Sequence, residues 1–306
     1  MYQILSSVYG WDDVSASKMI SLTDEGSCSV VIPEYPLSED AIGVVCTHQR
    51  FDQWDATDGK NSLALVKRVA AHWQSEGEHH YLVIGRDSGP THNPSFEFQV
   101  VPYKTSEESP FFQQLIILWR IAIGGLSISE GTRLKLANEW RDRVVEQRVL
   151  RNLKETIPGR ELGTKDSIRR QSVFVGRHMY VLFDKAPITR RHFLFVPKRD
   201  YSSFSMMNYE EWGEVLRLAR VITRCLEKRF PRFQIYFREG LRSGRSQRRF
   251  HVHLVLTPSA SVELLAKLSL FIIQILPRYE LSDAQLETVR KRVEEEVAWP
   301  PSEAPH

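Results

Sequence analysis

The chain has few cysteines, little net charge and no apolar run long enough to cross a membrane. Only Cys28, Cys46 and Cys225 occur in 306 residues, far apart, odd in number and set in apolar surroundings. Buried reduced thiols are the expectation, and the cytoplasm the expected compartment. A formal net charge of +3 argues against a general nucleic-acid coat, although positive charge is dense from Arg238 to Arg249. A membrane span needs about twenty apolar residues. The strongly apolar stretch Phe111 to Ile123 is shorter than that and is interrupted by Arg120. The opening Met1-Tyr2-Gln3-Ile4-Leu5 carries neither a basic segment nor a long apolar one, so neither a secretory signal nor a membrane anchor is expected. The 42% of hydrophobic residues can supply the core of one large or two ordinary domains.

What is present is concentrated chemistry near residue 250. Phe250-His251-Val252-His253-Leu254-Val255-Leu256-Thr257-Pro258 alternates with strand period, so both imidazoles leave one face while Val252 and Leu254 turn to the other. It directly follows a loop holding Arg238, Arg242, Arg245, Arg248 and Arg249. A neutral imidazole beside guanidinium groups can attack phosphorus while the cations stabilise the transferring phosphoryl oxygens. The bland alternatives are interior strand histidines and a solvated charged loop.

The same local order occurs earlier. Tyr81 to Ser88 reads like Phe233 to Gly240, and Phe96 to Pro102 like Val252 to Pro258; upstream, Val30 to Pro36 and Ile42 to Cys46 read like Tyr180 to Asp184 and His192 to Val196. Strand-like segments recurring in one order around one helix argue for a duplicated unit. The helices are expected over Asn61 to Gln74 and Tyr209 to Arg229. Between the repeats, Phe111 to Ile123 is apolar, Ser129-Glu130 opens a charged amphipathic helix running to about Glu155, and Ile157 to Gly163 reads as a linker. After Pro258 come an apolar helix, Val262 to Leu276, and a charged one from Ser282 to Val297. The expected division is therefore a first repeat over 1–104, a helical connection and linker over 105–171, and a second repeat with closing helices over 172–306.

The second repeat resembles the histidine-triad (HIT) superfamily. Thr189 to Arg199 is similar to its "GH-apolar-apolar-apolar-PK" segment, and Ser246-Gln247-Arg248-Arg249-Phe250-His251-Val252-His253 to its "GQ-S/T-x-x-H-x-H" segment. Two such repeats resemble the branch of galactose-1-phosphate uridylyltransferases and diadenosine-tetraphosphate phosphorylases, and Asn93-Pro94-Ser95-Phe96-Glu97-Phe98-Gln99 looks like that branch's "NPHPHxQ" segment. The resemblance covers about 27–104 and 172–297. It implies an α+β fold of duplicated HIT-like units, with antiparallel sheets and packed helices. It also implies nucleotidyl transfer, phosphorolysis or hydrolysis, with His253 attacking and His251 beside it. Gln247, Ser246, Arg238, Arg245 and Lys198 are the implied substrate contacts. The expected partner is a nucleotide or nucleotide-sugar ligand, with no membrane and no general nucleic-acid partner; a homodimer is admitted.

Departures from the pattern set the alternatives. Ser95 and Glu97 replace both histidines of the first repeat's motif, and Val255 replaces the third histidine of the second. Valine offers no hydrogen bond, so compensation is looked for in Gln247 or Ser246. In the uridylyltransferases the first repeat holds the nucleophile, and the second repeat's histidine pair helps bind a structural metal. A Zn²⁺ ion normally takes four ligands. Such a site stays open here only if the fold brings in His178, His192, or the pair His79 and His80. A catalytically inactive nucleotide- or phosphate-binding protein, or an interaction module, is the competing class.

Overall fold

The computed structural model describes residues 20–33, 35–46, 50–87, 96–104, 109–123, 125, 128–145, 150–151, 168–169, 171–240, 243, 247–258 and 280–300. Ten strands run as β1 Ile20–Glu25, β2 Cys28–Ile32, β3 Ile42–Cys46, β4 Tyr81–Asp87, β5 Phe96–Pro102, β6 Ser172–Val175, β7 Met179–Phe183, β8 Arg191–Pro197, β9 Arg232–Glu239 and β10 Val252–Thr257. Among the described residues the α-helices include α1 Ala56–Ser75, α2 Pro110–Ile123, α3 Glu130–Val145, α4 Tyr209–Leu226 and α5 Asp283–Glu296. All pairings are antiparallel, in one sheet of order β1-β2-β3-β5-β4-β9-β10-β8-β7-β6. The order reads alike from either edge: each half lays down three strands, a helix, and two more strands, and β4 meets β9 at the centre. The expected α+β class and antiparallel pairing are present, and the sheets of the two halves are joined into one.

Helix boundaries follow from capping. α1 begins five residues before the expected Asn61, because the Asp55 carboxylate accepts from the Thr57 and Asp58 amides and Asp58 returns a bond to the Asp55 amide. The apolar stripe alone could not show this turn, since its first residues are mostly polar. α4 begins where expected, with Asn208 and Glu211 making the same reciprocal pair, and α5 starts on a Ser282–Gln285 pair. α3 is helical over Glu130–Val145. The segments expected as a linker over 157–163 and as an apolar helix over 262–276 lie outside the described residues.

The largest core lies between the sheet and the two helices α1 and α4. Leu63, Leu65, Val66, Val69, Ala70 and Trp73 of α1 are buried there with Trp212, Val215, Leu216, Ala219, Ile222 and Leu226 of α4. Both halves contribute to this single cluster. Cross-ties between them add to it: the Trp212 indole donates to Ser62 Oγ at 3.3 Å, and Lys67 Nζ donates to the carbonyls of Ser205 and Met207 at 3.0 and 2.6 Å. Removing an indole such as Trp212 from this core costs about 3–5 kcal/mol.

Apolar residues also line the opposite face, in two separate groups. Leu82, Ile84, Val101, Tyr103, Tyr236 and Val255 pack with Ile117 and Ile121 of α2, whereas Tyr180, Leu182, Leu194 and Val196 cluster with Ile168. α2 leaves Phe112, Ile116 and Trp119 exposed. Among the described residues no helix is long and apolar enough to cross a membrane.

The expectation for the cysteines is overturned. Cys28 and Cys46, directly paired across β2 and β3, form a disulfide, and Cys225 is exposed on α4. Sequence separation hid the pairing, because adjacent strands bring residues 18 apart to a Cα–Cα distance of 3.9 Å. The bridge removes the support that reduced thiols gave to a cytoplasmic location.

Candidate active site

The candidate site lies on the sheet face away from α1 and α4, between the two smaller apolar clusters. On β10, Val252, Leu254 and Leu256 enter the main core, while period two turns His253 and Val255 to the other side. His253 stands opposite Tyr236 of β9 and Leu194 of β8. The Tyr236 ring stacks on it with centroids 4.4 Å apart and planes 7° from parallel. His251 meets it edge-on at 4.7 Å, its Nδ1 2.9 Å from the Arg249 carbonyl oxygen. That contact makes Nδ1 the protonated nitrogen of His251, since a carbonyl can only accept.

The fold adds two residues that the site assignment from sequence did not include. His192, the histidine of the "GH"-like segment, sits at the start of β8, paired with Val255 and 1% exposed. Its Nε2 is 2.9 Å from His253 Nδ1. Its Nδ1 lies 3.2 Å from Asp184 Oδ2, with the Ile188 amide at 3.3 Å. His192 therefore makes the orienting contact that Val255 cannot, in place of the compensation sought from Gln247 or Ser246. The motif gave a signal for His192; Asp184 gave none beyond its place after β7.

Proton positions along this chain are linked. A His192 ring protonated at Nδ1 would face Asp184 Oδ2 and present its Nε2 lone pair to His253 Nδ1–H. In that order the His253 lone pair would reside on Nε2, the nitrogen an attack on phosphorus would use. The Ile188 amide donates to the same Nδ1, and a ring that accepts there carries its proton on Nε2 and donates it to His253 Nδ1, so the order of the protons follows which neighbour Nδ1 serves.

The other sequence-derived residues are spread around this centre. Arg238 shares the face of Tyr236, two residues along β9, and lies close to buried Tyr103. Burial pushes that phenol up to about 12, and the Arg238 guanidinium pulls against the rise. Lys198 follows β8 at the end away from His192, its Nζ 5.7 Å from the Tyr180 ring centre. Gln247 is half-buried, and Arg245 and Ser246 lie outside the described residues. Of the arginine loop, Arg248 is exposed, and Arg249 is buried with its guanidinium on the carbonyls of Pro197, Lys198 and Arg199, at 2.7, 3.2 and 3.3 Å. Arg249 thus ties the loop to the end of β8. Gly240, with φ +76°, ends β9 where an added Cβ would lie 2.0 Å from His80 Nδ1, so the loop requires glycine at its entry.

Among the described residues, His192 is the one of the histidines weighed as extra metal donors that joins a donor group, with His253, while His251 stays outside it. His178 lies 4.0 Å from Glu210, and His80 backs onto Gly240. Asp184, His192 and His253 offer ligand atoms all within 4.8 Å of one another. Two imidazoles and one carboxylate match a three-donor Zn²⁺ set that leaves a position open.

In the first half the described polar residues of β4 and β5 bond one another and the Tyr35–Leu37 backbone. Glu97, Gln99 and Arg86 are all buried. Glu97 Oε1 lies 4.0 Å from the Arg86 guanidinium and accepts from the Gln99 amide. Arg86 and Gln99 both donate to the Tyr35 carbonyl, at 2.6 and 3.1 Å, and the Leu37 amide donates to Gln99 Oε1 at 3.0 Å. Strand register refines the alignment: Glu97 pairs with Arg86, whereas His253 pairs with Tyr236. If Arg86 matches Arg238, the rung of His253 corresponds to Gln99, two residues past Glu97. Ser95 lies outside the described residues.

Residues 165–259 match the family model of the HIT domain. No curated protein matches the chain. Among solved structures, a uridylyltransferase mutant is similar at 14% identity and TM-score 0.48, over 84% of this chain and 75% of its own. A GalT-like protein from Arabidopsis thaliana is similar at 11% and 0.49, over 89% and 85%. An ADP-glucose phosphorylase from Arabidopsis thaliana, with bound ADP-glucose, is similar at 11% and 0.49, over 88% and 82%.

Proposed function

We propose, from the HIT domain over residues 165–259, that the protein binds a nucleotide or nucleotide sugar and transfers or hydrolyses its nucleotidyl group through His253. The carrying observation is the Asp184–His192–His253 chain of contacts. His253 Nε2 attacks the α-phosphorus; a P–N bond forms, the P–O bond to the leaving group breaks, and the nucleotidyl group rests on the imidazole. Water, phosphate or a sugar phosphate then attacks phosphorus and releases the histidine. Tyr236 holds the ring plane, and Asp184 sets the tautomer through His192. Arg238 is the nearest described cation on this face by strand position, and is assigned to the phosphate oxygens. The first half shapes the protein without chemistry of its own, because its buried guanidinium already faces Glu97.

The test is hydrolysis of the p-nitrophenyl ester of AMP or UMP, with mass-spectrometric search for a nucleotidyl adduct on His253. His253→Ala is expected to abolish both while the protein stays folded. Full activity in that variant would remove His253 as nucleophile.

The three clustered donors favour a second reading, in which Asp184, His192 and His253 hold a divalent cation and the histidines are ligands. A bound cation would supply a Lewis-acid centre or a structural tie. Thermal-shift measurements with nucleotides and nucleotide sugars, with and without a chelator, separate the two. Chelator-insensitive ligand binding with turnover supports the nucleophile; binding without turnover supports a protein that has kept the fold and lost the reaction.

A further inference from the structure

The second cluster of metal-ligating side chains lies in the first half, apart from the histidines. Cys28 of β2 and Cys46 of β3 are 0% and 3% exposed, and Asp58, in the first turn of α1, 1%. One ligand atom from each lies within 4.8 Å of the others. The Cys28 and Cys46 sulfurs also lie 3.6 and 4.0 Å from the Asp58 carbonyl oxygen. The carboxylate is held in place from two sides: Ser27 Oγ donates to Oδ1, and the Asp55 amide donates to Oδ2 at 3.1 Å.

We propose that these three residues form a redox-gated site for a thiophilic divalent cation of the zinc class. In the bridged form the sulfurs bond each other and the site is shut. A thiol reductant supplies two electrons and two protons, leaves as its own disulfide, and yields two thiols; the cation then displaces two protons and takes both thiolates and the carboxylate. Thiolate and carboxylate together suit Zn²⁺, at roughly 2.3 and 2.0–2.2 Å, and three protein donors leave one position for water. The Ser27 hydroxyl fixes the carboxylate as an outer partner of a ligand does. Half-buried Ser27, next to exposed Gly26, places the cluster one side chain below the surface.

The test uses the full chain carrying Cys225→Ser, reduced with a phosphine that is then removed, and titrated with Co²⁺ alone. The expected result is a near-ultraviolet thiolate-to-cobalt charge-transfer band saturating at one equivalent and displaced by Zn²⁺. It should be absent from the oxidised chain, which serves as a control needing no further substitution. No thiol accompanies Asp184, His192 and His253, so cobalt held there gives no such band. Cys28→Ser and Cys46→Ser should each lose the two-thiolate band, and Asp58→Asn should weaken binding while keeping it. The proposal is overturned if the reduced, folded chain shows no band, if the band survives Cys46→Ser unchanged, or if the bridge opens only on unfolding.

Discussion

His192→Phe separates positioning of the nucleophile from substrate binding. The ring position is 1% exposed, so phenylalanine keeps most of the packing that alanine would lose. It removes the acceptor 2.9 Å from His253 Nδ1 and ends the influence of Asp184 on the tautomer. A buried donor deprived of its partner costs about 1–3 kcal/mol. If that cost falls on the attacking tautomer, kcat drops roughly five- to hundredfold, at about 1.4 kcal/mol per decade. KM for the p-nitrophenyl nucleotide ester should move little, since neither Tyr236 nor Arg238 is touched. The assay is steady-state release of p-nitrophenol across pH, beside a urea midpoint to establish that the variant is folded. A kcat within twofold of the parent, or a raised KM with kcat intact, would refute the relay. A variant that instead loses a bound cation would move the three residues to the metal reading.

Much of the architecture was legible because strand and helix periods are local. The stripes of α1 and α4 and the turn of His253 away from the core follow from side-chain alternation alone. What stayed hidden depends on strand adjacency. Cys28 and Cys46 look unrelated until β2 and β3 pair, and Asp184 looks like a turn residue until it closes on the buried face of His192. The missing third histidine directed attention to Gln247 and Ser246, which precede β10 in the sequence, whereas the replacement contact comes from the neighbouring strand β8. Arg249 shows the opposite error: counted among phosphate-facing cations by composition, it is consumed by three backbone carbonyls.

Two further predictions concern the polar ties around these sites. Burial alone would raise the Glu211 carboxyl, but bonds from Arg199, the Asn208 amide and Tyr201 hold it below its ordinary value. A depressed folded-state value gives stability that is present above the unfolded carboxyl pKa and lost as pH falls through the folded one. Glu211→Gln should therefore cost about 2 kcal/mol at pH 7, with the gap to the parent narrowing in acid; urea unfolding at both pH values checks it, and a constant gap would refute the linkage. Glu97→Gln tests whether the first half reacts. The substitution removes the carboxylate 4.0 Å from the buried Arg86 guanidinium, for which roughly 3 kcal/mol is the expected loss, from the cost of breaking a buried pair. The 4.0 Å separation and the retained bond from Arg86 to the Tyr35 carbonyl place the loss at the low end of that range. Glutamine can still bond Gln99, so the Tyr35–Leu37 segment keeps its anchor. The unfolding midpoint should therefore fall while turnover at 20 °C stays that of the parent. Loss of turnover with stability unchanged would show instead that Glu97 takes part in the reaction.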